Sequence, residues 1–472
     1  MTGQASDILI ASAHYVTLFI ISVGLLQNAM YFAQLILSGH ELSTNPPVRR
    51  TALLWKRYAD LAPPIALLSP AYNEELTIIE SVRSMLSLEY PSFEIIVIND
   101  GSTDKTLERL KEEFDLKPVS RAFPQTVDHA PVRGIYKSAR QSRLIVIDKE
   151  NGGKSDALNA GINISRAPIF CSMDADSILE PDALLRAVAP FVDDPSRVIA
   201  VGGTVRLANG CRIENGRLIE VGMPRNPLAL FQVVEYLRAF LMARLAWSKL
   251  GAITIISGTF GLFKRSSVLA VGGYSKDTVG EDMELVIKLH RHFQRADKPY
   301  RIAYVPQPVC WTEAPETLKV LGRQRSRWHR GSLETFFRHT DMFMNPRYGR
   351  VGVLGFGNIF FVDILGPLAE LLGYILIPLL TFTGLLSIDY LLAFLAVSFT
   401  FGIAVSVGSL ALEEVELKRF PHARDLVLLM CMAILENFGY RQLSNIWRIV
   451  GTVEFLRRKK GWGVMTRKGF KS

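Results

Sequence analysis

Residues 8–37 pass without a single Asp, Glu, Lys or Arg, and that run limits what the rest of the chain can be. About 20 apolar residues cross the hydrocarbon of a bilayer as a helix, because a helix satisfies its own backbone hydrogen bonds where no water can. No basic region precedes the run and no small-residue cleavage site follows it, so residues 1–40 read as a retained transmembrane anchor. Arg49, Arg50, Lys56 and Arg57 come next. Basic residues flanking a span stay on the cytoplasmic side, so the following segment is expected in the cytoplasm and the amino terminus outside.

Apolar residues make up 49% of the 472-residue chain, too many for a wholly water-soluble enzyme, yet 21% of residues are charged. A water-facing domain joined to membrane spans accounts for both figures. The net charge of +9 is compatible with a nucleic-acid partner. However, the basic residues gather beside apolar segments, at 49–57 and at Arg457, Arg458, Lys459 and Lys460. That pattern suits anchoring on membrane lipids, and no nucleic acid is expected. Cys171, Cys211, Cys310 and Cys431 have neither metal-ligand spacing nor a disulfide framework, which points to a reducing compartment.

A linker over 41–64, carrying Pro46, Pro47, Pro63 and Pro64, leads into a water-facing region at 65–345. Short apolar runs at 65–68, 95–98, 144–147, 169–171 and 198–201 alternate there with helical patterns. This is the signature of an α/β domain with a mixed, mostly parallel sheet. Such sheets bind ligands at the carboxyl ends of their strands. Residues 351–450 are apolar again and predict an α-helical membrane region, followed by a basic tail at 451–472. The polar-studded stretch 425–456 is expected to lie along the interface or re-enter, since crossing there would leave the basic tail outside; a further crossing within 351–386 is the other route. The amphipathic stretches 228–250 and 317–345 are expected on the membrane surface.

The residues with chemistry follow the strand runs. Tyr72 comes after the first and Asp100 after the second, where an aromatic and a carboxylate can hold a nucleoside, with Asp100 accepting from its base. Ser102, Thr103 and Asp104 read better as a turn and helix cap. Asn151-Gly152-Gly153-Lys154 precedes a helical pattern, and Lys154 there can reach a diphosphate, although on its own the stretch reads better as a plain loop into a helix. Asp174-Ala175-Asp176 follows the fourth run. Carboxylates at i and i+2 of an extended chain point the same way and can hold Mg²⁺ or Mn²⁺. Glu281 and Asp282 open a helical pattern, either as dipole-favouring acids or with Asp282 as a general base. Residues 256–259 and 311–313 are candidate acceptor-site walls or core. Gln324-Arg325-Ser326-Arg327-Trp328 offers a phosphate-matching fork and an indole for a sugar face, or else an interface anchor.

These pieces stand in the sequence as PAYNEE (70–75), INDGSTD (98–104), NGGKSDALNAG (151–161), DAD (174–176), ISGTFGLF (256–263), GED (280–282) and QRSRW (324–328). In that order the chain resembles the membrane-integrated, processive branch of family 2 glycosyltransferases, which includes cellulose, hyaluronan, chitin and poly-N-acetylglucosamine synthases. The resemblance implies a GT-A fold, a UDP-sugar donor and an inverting single displacement onto a growing polysaccharide acceptor. By it, Tyr72 and Asp100 hold the uridine, Lys154 and Arg327 lie at the diphosphate, and Asp174 and Asp176 bind Mg²⁺ or Mn²⁺. Asp282 is then the base, with Gln324 and Trp328 at the acceptor. Trp462, Thr466 and Arg467 are similar to a gating segment of hyaluronan and chitin synthases, or else form a plain basic tail on anionic lipid.

The expectation is a multi-pass enzyme of a bacterial inner membrane with its catalytic domain in the cytoplasm. It would polymerise a β-linked glycan from UDP-N-acetylglucosamine and pass it across the membrane, with membrane lipids and accessory export proteins as further partners. Two other readings carry different consequences. A single-transfer enzyme acting on a membrane lipid carrier would make no polymer. A non-catalytic export scaffold would tolerate loss of Asp282.

Overall fold

The computed structural model describes residues 2–48, 50–416 and 422–459. Twelve strands form: β1 Ile65–Ala71, β2 Phe93–Asp100, β3 Leu116–Pro118, β4 Val132–Ser138, β5 Leu144–Lys149, β6 Ile169–Met173, β7 Ser177–Leu179, β8 Val198–Leu207, β9 Arg212–Glu214, β10 Arg217–Glu220, β11 Phe260–Lys264 and β12 Arg301–Thr312. Ten of them make one sheet in the order β3-β4-β5-β2-β1-β6-β11-β8-β12-β7, and β9 pairs with β10 in a separate ribbon. Strands β5, β2, β1 and β6 run parallel. Strand β11 is antiparallel to both neighbours, β6 and β8. All five apolar runs of the sequence fall within sheet strands.

The central strands are apolar on both faces because both faces are covered. In β1, Ile65 and Leu67 point to one side, where they pack with Ile78, Val82 and Met85 of helix Ile78–Leu86 and with Leu184 and Val188 of helix Ala183–Asp193. Ala66 and Leu68 point to the other, against Leu158 and Ile162 of helix Lys154–Ile164 and Leu285 and Leu289 of helix Glu281–Arg295. The period of two along the strand thus sorts its residues between two cores. It also leaves the carboxyl ends of β1, β2, β5 and β6 side by side.

Among the described residues, three helical segments are long and apolar enough to cross a membrane: Ile10–Thr44, Val351–Phe382 and Ile388–Val415. A fourth pair, Ala423–Leu435 and Tyr440–Leu456, bends by 58° at its break, where Gly439 adopts φ 109°, a backbone state that side chains disfavour. Helix Tyr440–Leu456 lies against helix Leu318–Arg338: Ser326 Oγ donates to the Trp447 carbonyl at 3.0 Å, and His329 Nε2 meets Thr452 Oγ1 at 3.0 Å. Buried ion pairs join the sheet domain to the membrane helices. Arg206 of β8 pairs with Glu413, Arg238 pairs with Glu436, and Glu436 also accepts from Ser406 Oγ at 2.5 Å. Breaking one partner of such a pair would strand a buried charge.

Candidate active site

The carboxyl ends of β1, β2 and β6 deliver Tyr72, Asp100 and Asp174 to one edge. Tyr72 is half-exposed. Beside it, Asn73 Oδ1 accepts from the Thr103 amide at 2.8 Å, and Asp104 Oδ1 accepts from the Thr106 amide at 2.9 Å, starting helix Thr106–Phe114. Ser102 to Asp104 therefore form the turn and cap that their residue types predict.

Asp100 is placed differently from the expectation that it accepts from a base. Its carboxylate is buried and turned inward. Oδ1 accepts from Lys149 Nζ at 2.6 Å and from the Gly152 amide at 3.1 Å. Oδ2 accepts from the Gly153 amide at 2.7 Å and from Asn151 Nδ2 at 3.3 Å. Lys149, fully buried at the end of neighbouring β5, also pairs with Asp156 at 2.6 Å. A buried ammonium needs such partners, and the two carboxylates supply them. The consequence is local: Asp100 holds the 151–153 loop, and the loop sets the start of helix Lys154–Ile164. Gly101, at φ 67°, is part of the same joint, since a Cβ there would lie 2.8 Å from the Asn151 nitrogen.

Lys154 Nζ sits 2.5 Å from Asp174 Oδ1, 3.5 Å from Glu281 Oε1 and 3.5 Å from the Gly258 carbonyl. Burial disfavours its charge, but Asp174, Glu281 and Asp282 outweigh burial and raise its pKa. Glu281, which sequence reasoning took only as a dipole-favouring acid, is buried. Burial pushes its pKa up to about 7, with Lys154 pulling it down and Asp282 pushing it up. Asp282, half-buried at the first turn of the helix, has both oxygens oriented: Oδ2 accepts from the Gly258 amide at 3.1 Å, Oδ1 from the Met283 amide at 2.8 Å. Gly258 has no room for a side chain, since a Cβ would lie 2.7 Å from Lys154 Nζ and 3.6 Å from Asp282 Oδ2.

The Asp174 and Asp176 pair also departs from expectation. Strand β6 ends at Met173, and the chain turns through 174–176 before β7, closed by the Ser177 amide donating to the Asp174 carbonyl at 3.2 Å. The pair is therefore not in extended chain. Asp174 faces the site partly exposed, while Asp176 is buried. Among the described residues no three His, Cys, Asp or Glu side chains form a metal cluster. Two hard carboxylates on one turn still fit a Mg²⁺-type ion whose remaining ligands are phosphate and water.

Helix Leu318–Arg338 closes the site. Arg327 is within electrostatic reach of Glu281, Asp174 and Asp282; burial lowers its pKa and those acids oppose the shift. Trp328 is exposed, with the Arg325 guanidinium 4.3 Å from its ring centroid. Arg325 in turn pairs with Glu235 at 2.7 Å, and Glu235 accepts from the Tyr440 hydroxyl at 2.8 Å. Gln324 is buried, and its Oε1 accepts from Arg325 at 3.4 Å. Its side chain is therefore not on the surface where the Trp328 ring is exposed. Trp311 is buried, its Nε1 donating to Glu180 at 2.8 Å, so its indole is structural. Trp462, Thr466 and Arg467 lie outside the described residues.

A half-exposed tyrosine, a carboxylate turn, a cation and a hydrogen-bonded carboxylate thus converge at one end of a mixed sheet. Residues 67–271 match the family described as Glycosyl transferase family 2. The chain is 32% identical over 296 residues to the poly-beta-1,6-N-acetyl-D-glucosamine synthase of Staphylococcus aureus, covering 62% of this chain and 61% of that one. It is 33% identical over 275 residues to the synthase of the same name from Staphylococcus epidermidis, covering 58% and 56%. The aligned part thus spans about three-fifths of the relatives' own length. In fold, the chain is similar to a mannosyltransferase of Pyrobaculum calidifontis solved with GDP-Man and Mn²⁺, at TM-score 0.51 and 18% identity, over 93% of this chain and 100% of that one. That likeness, with the sheet order, makes the domain a GT-A fold.

Proposed function

We propose that this protein is a processive, inverting glycosyltransferase that extends a β-linked poly-N-acetylglucosamine-like chain from UDP-N-acetylglucosamine. Asp282 carries the reading: its Oδ2 is oriented by the Gly258 amide at 3.1 Å, close to the Lys154 and Arg327 cations. The staphylococcal relatives support the sugar, and the membrane-length helices support a product handled at a bilayer.

In this scheme an acceptor hydroxyl gives its proton to Asp282 as its oxygen bonds to the anomeric carbon. The bond from that carbon to the diphosphate oxygen breaks on the opposite face, and UDP departs with the electron pair. Lys154 and Arg327 offset the charge developing on the diphosphate. Mg²⁺ or Mn²⁺, held by Asp174 and Asp176 together with the donor's phosphates, would supply further neutralisation of that charge. Tyr72 flanks the nucleoside, and Asp100 acts by holding the loop before Lys154. Trp328 stacks on the acceptor sugar. The protein works from the bacterial inner membrane, with the growing glycan passed between its own helices.

The test is turnover by the purified full-length protein, supplied in turn with each UDP-sugar and with Mg²⁺ or Mn²⁺. UDP release from UDP-N-acetylglucosamine with products of high mass is expected. One-sugar products would reduce the assignment to a single transfer, and no consumption of any UDP-sugar would overturn it.

A further inference from the structure

The sheet has a second concavity, at the end opposite the catalytic residues. About 690 Å³ in volume, it is lined by Ile65 and Phe93 at the amino ends of β1 and β2, by Arg143 just before β5, and by Pro168 just before β6. Tyr72, Asp100 and Asp174 stand at the other ends of these parallel strands, so the two sites are separated by the length of the sheet.

The lining holds four cations, Arg121, Lys137, Arg143 and Arg166, and one carboxylate, Glu94. Glu94 is spoken for: it pairs with Arg121 at 3.5 Å and accepts from the Arg166 amide at 3.4 Å. Among the described residues no carboxylate pairs with the side chains of Lys137, Arg143 or Arg166. Arg143 is held in place all the same. Its guanidinium lies 4.5 Å from the Phe93 ring centroid, and its carbonyl accepts from the Ile95 amide at 2.8 Å.

Cations crowded into one concavity repel one another, and a bound anion removes that repulsion. Arginine forks match phosphate oxygens two at a time. The volume is that of a small-molecule site, and the floor of Phe93 and Ile145 is apolar, as an aromatic base would require. We propose that this groove binds a phosphate-bearing small molecule of nucleotide size, separately from the donor site. A neutral glycan gains nothing from three uncompensated cations, so the acceptor is not its occupant.

The full-length protein, in nanodiscs of phosphatidylcholine or phosphatidylglycerol, would be titrated with ATP and with inorganic pyrophosphate. EDTA would be present to suppress metal-dependent binding at the donor site. Binding is expected in phosphatidylcholine discs, weakening roughly tenfold or more in an R143Q/R166Q double variant, as loss of charge-assisted contacts implies. It should persist in an Asp174→Asn variant. Equal binding in both disc types supports a soluble ligand. Displacement in phosphatidylglycerol discs supports a lipid headgroup as the phosphate source. The proposal is overturned if no probe separates wild type from the double variant, or if Asp174→Asn abolishes the binding. Both arginines are exposed and outside the catalytic centre, so the double variant should retain normal sugar-transfer turnover as proof of folding.

Discussion

Gly280 and Gly331 meet backbone to backbone: a Cβ built on Gly280 would lie 2.9 Å from the Gly331 Cα, and one built on Gly331 would lie 2.8 Å from the Gly280 Cα. The contact joins the residue before the Asp282 helix to the helix that carries Arg327 and Trp328. It sets the distance between the proposed base and the proposed acceptor platform. Neither backbone can yield as a side chain would, so Gly331→Ala must push the helices apart. A stability loss of about 1–3 kcal/mol is expected, as for other overpacked sites. UDP release should fall roughly tenfold or more, because small displacements of reacting groups are costly to rate. Donor affinity, measured by titration, should change little.

Asp282→Asn tests the base directly. The amide oxygen can still accept from Gly258, with the Met283 contact given up, so the side chain stays anchored while the proton acceptor is lost. UDP release is expected to drop by roughly 10²–10⁴, with UDP-N-acetylglucosamine binding retained within about twofold. Full UDP release in this variant would remove Asp282 as the base, and full polymer output without UDP release by the protein would favour the export-scaffold reading.

Much of this arrangement is legible in the sequence. The five apolar runs become strands because two-sided burial demands continuous apolar segments, and Ser102 to Asp104 turn and cap as their short polar side chains dictate. What escapes is contact between distant segments. Asp100 looks like an open strand tip until Lys149 is placed beside it by the β2–β5 pairing. Asp174 and Asp176 look like one extended face because nothing in their identities announces that β6 stops at Met173. Glu281 and Asp282 are equivalent by residue type, and only the approach of helix Lys154–Ile164 tells them apart. The anchoring of Arg325 to Glu235 spans 90 positions and has no local signature.

Lys154 occupies one oxygen of the carboxylate proposed to hold the metal. With the ammonium 2.5 Å from Asp174, a divalent ion must compete with it before the donor arrives. Lys154→Met should therefore bind Mn²⁺ several-fold more tightly in the absence of donor, by paramagnetic resonance titration, because a competing cation is gone. The same variant should turn over poorly, since the diphosphate loses a counter-charge. Treating wild type with EDTA should stop UDP release, and adding Mg²⁺ or Mn²⁺ back should restore it.

Glu281 gives this competition a pH dependence. Burial raises its pKa to about 7, so it is mostly protonated below that pH and carries a charge above it. The charged form shares Lys154 and weakens its hold on Asp174; the neutral form leaves Lys154 to Asp174. Metal and donor affinity in the wild type should therefore rise as pH climbs through about 7. In Glu281→Gln the rise should vanish, leaving weak, pH-independent binding. A wild-type profile with no inflection between pH 6 and 8, measured as donor affinity against pH, would count against this role.

Trp328 is exposed at the site while Gln324 and Arg325 are buried, and the Arg325 guanidinium lies 4.3 Å from its ring centroid. The guanidinium is fixed by Glu235, which Tyr440 also contacts, so the orientation of the indole depends on the bent helix pair. A rigid aromatic face binds a sugar by stacking, a contact that each new terminal residue can repeat. Trp328→Ala should therefore shorten products before it slows donor hydrolysis: UDP release stays within a few-fold of wild type, because the losses at an exposed ring are about 1 kcal/mol or less per stack. Polymer mass, read by size-exclusion chromatography, falls much further, since each cycle's chance of release is compounded along the chain. Glu235→Gln should act in the same direction through Arg325, with a smaller shift. Products of unchanged mass from both variants would remove Trp328 from the acceptor site.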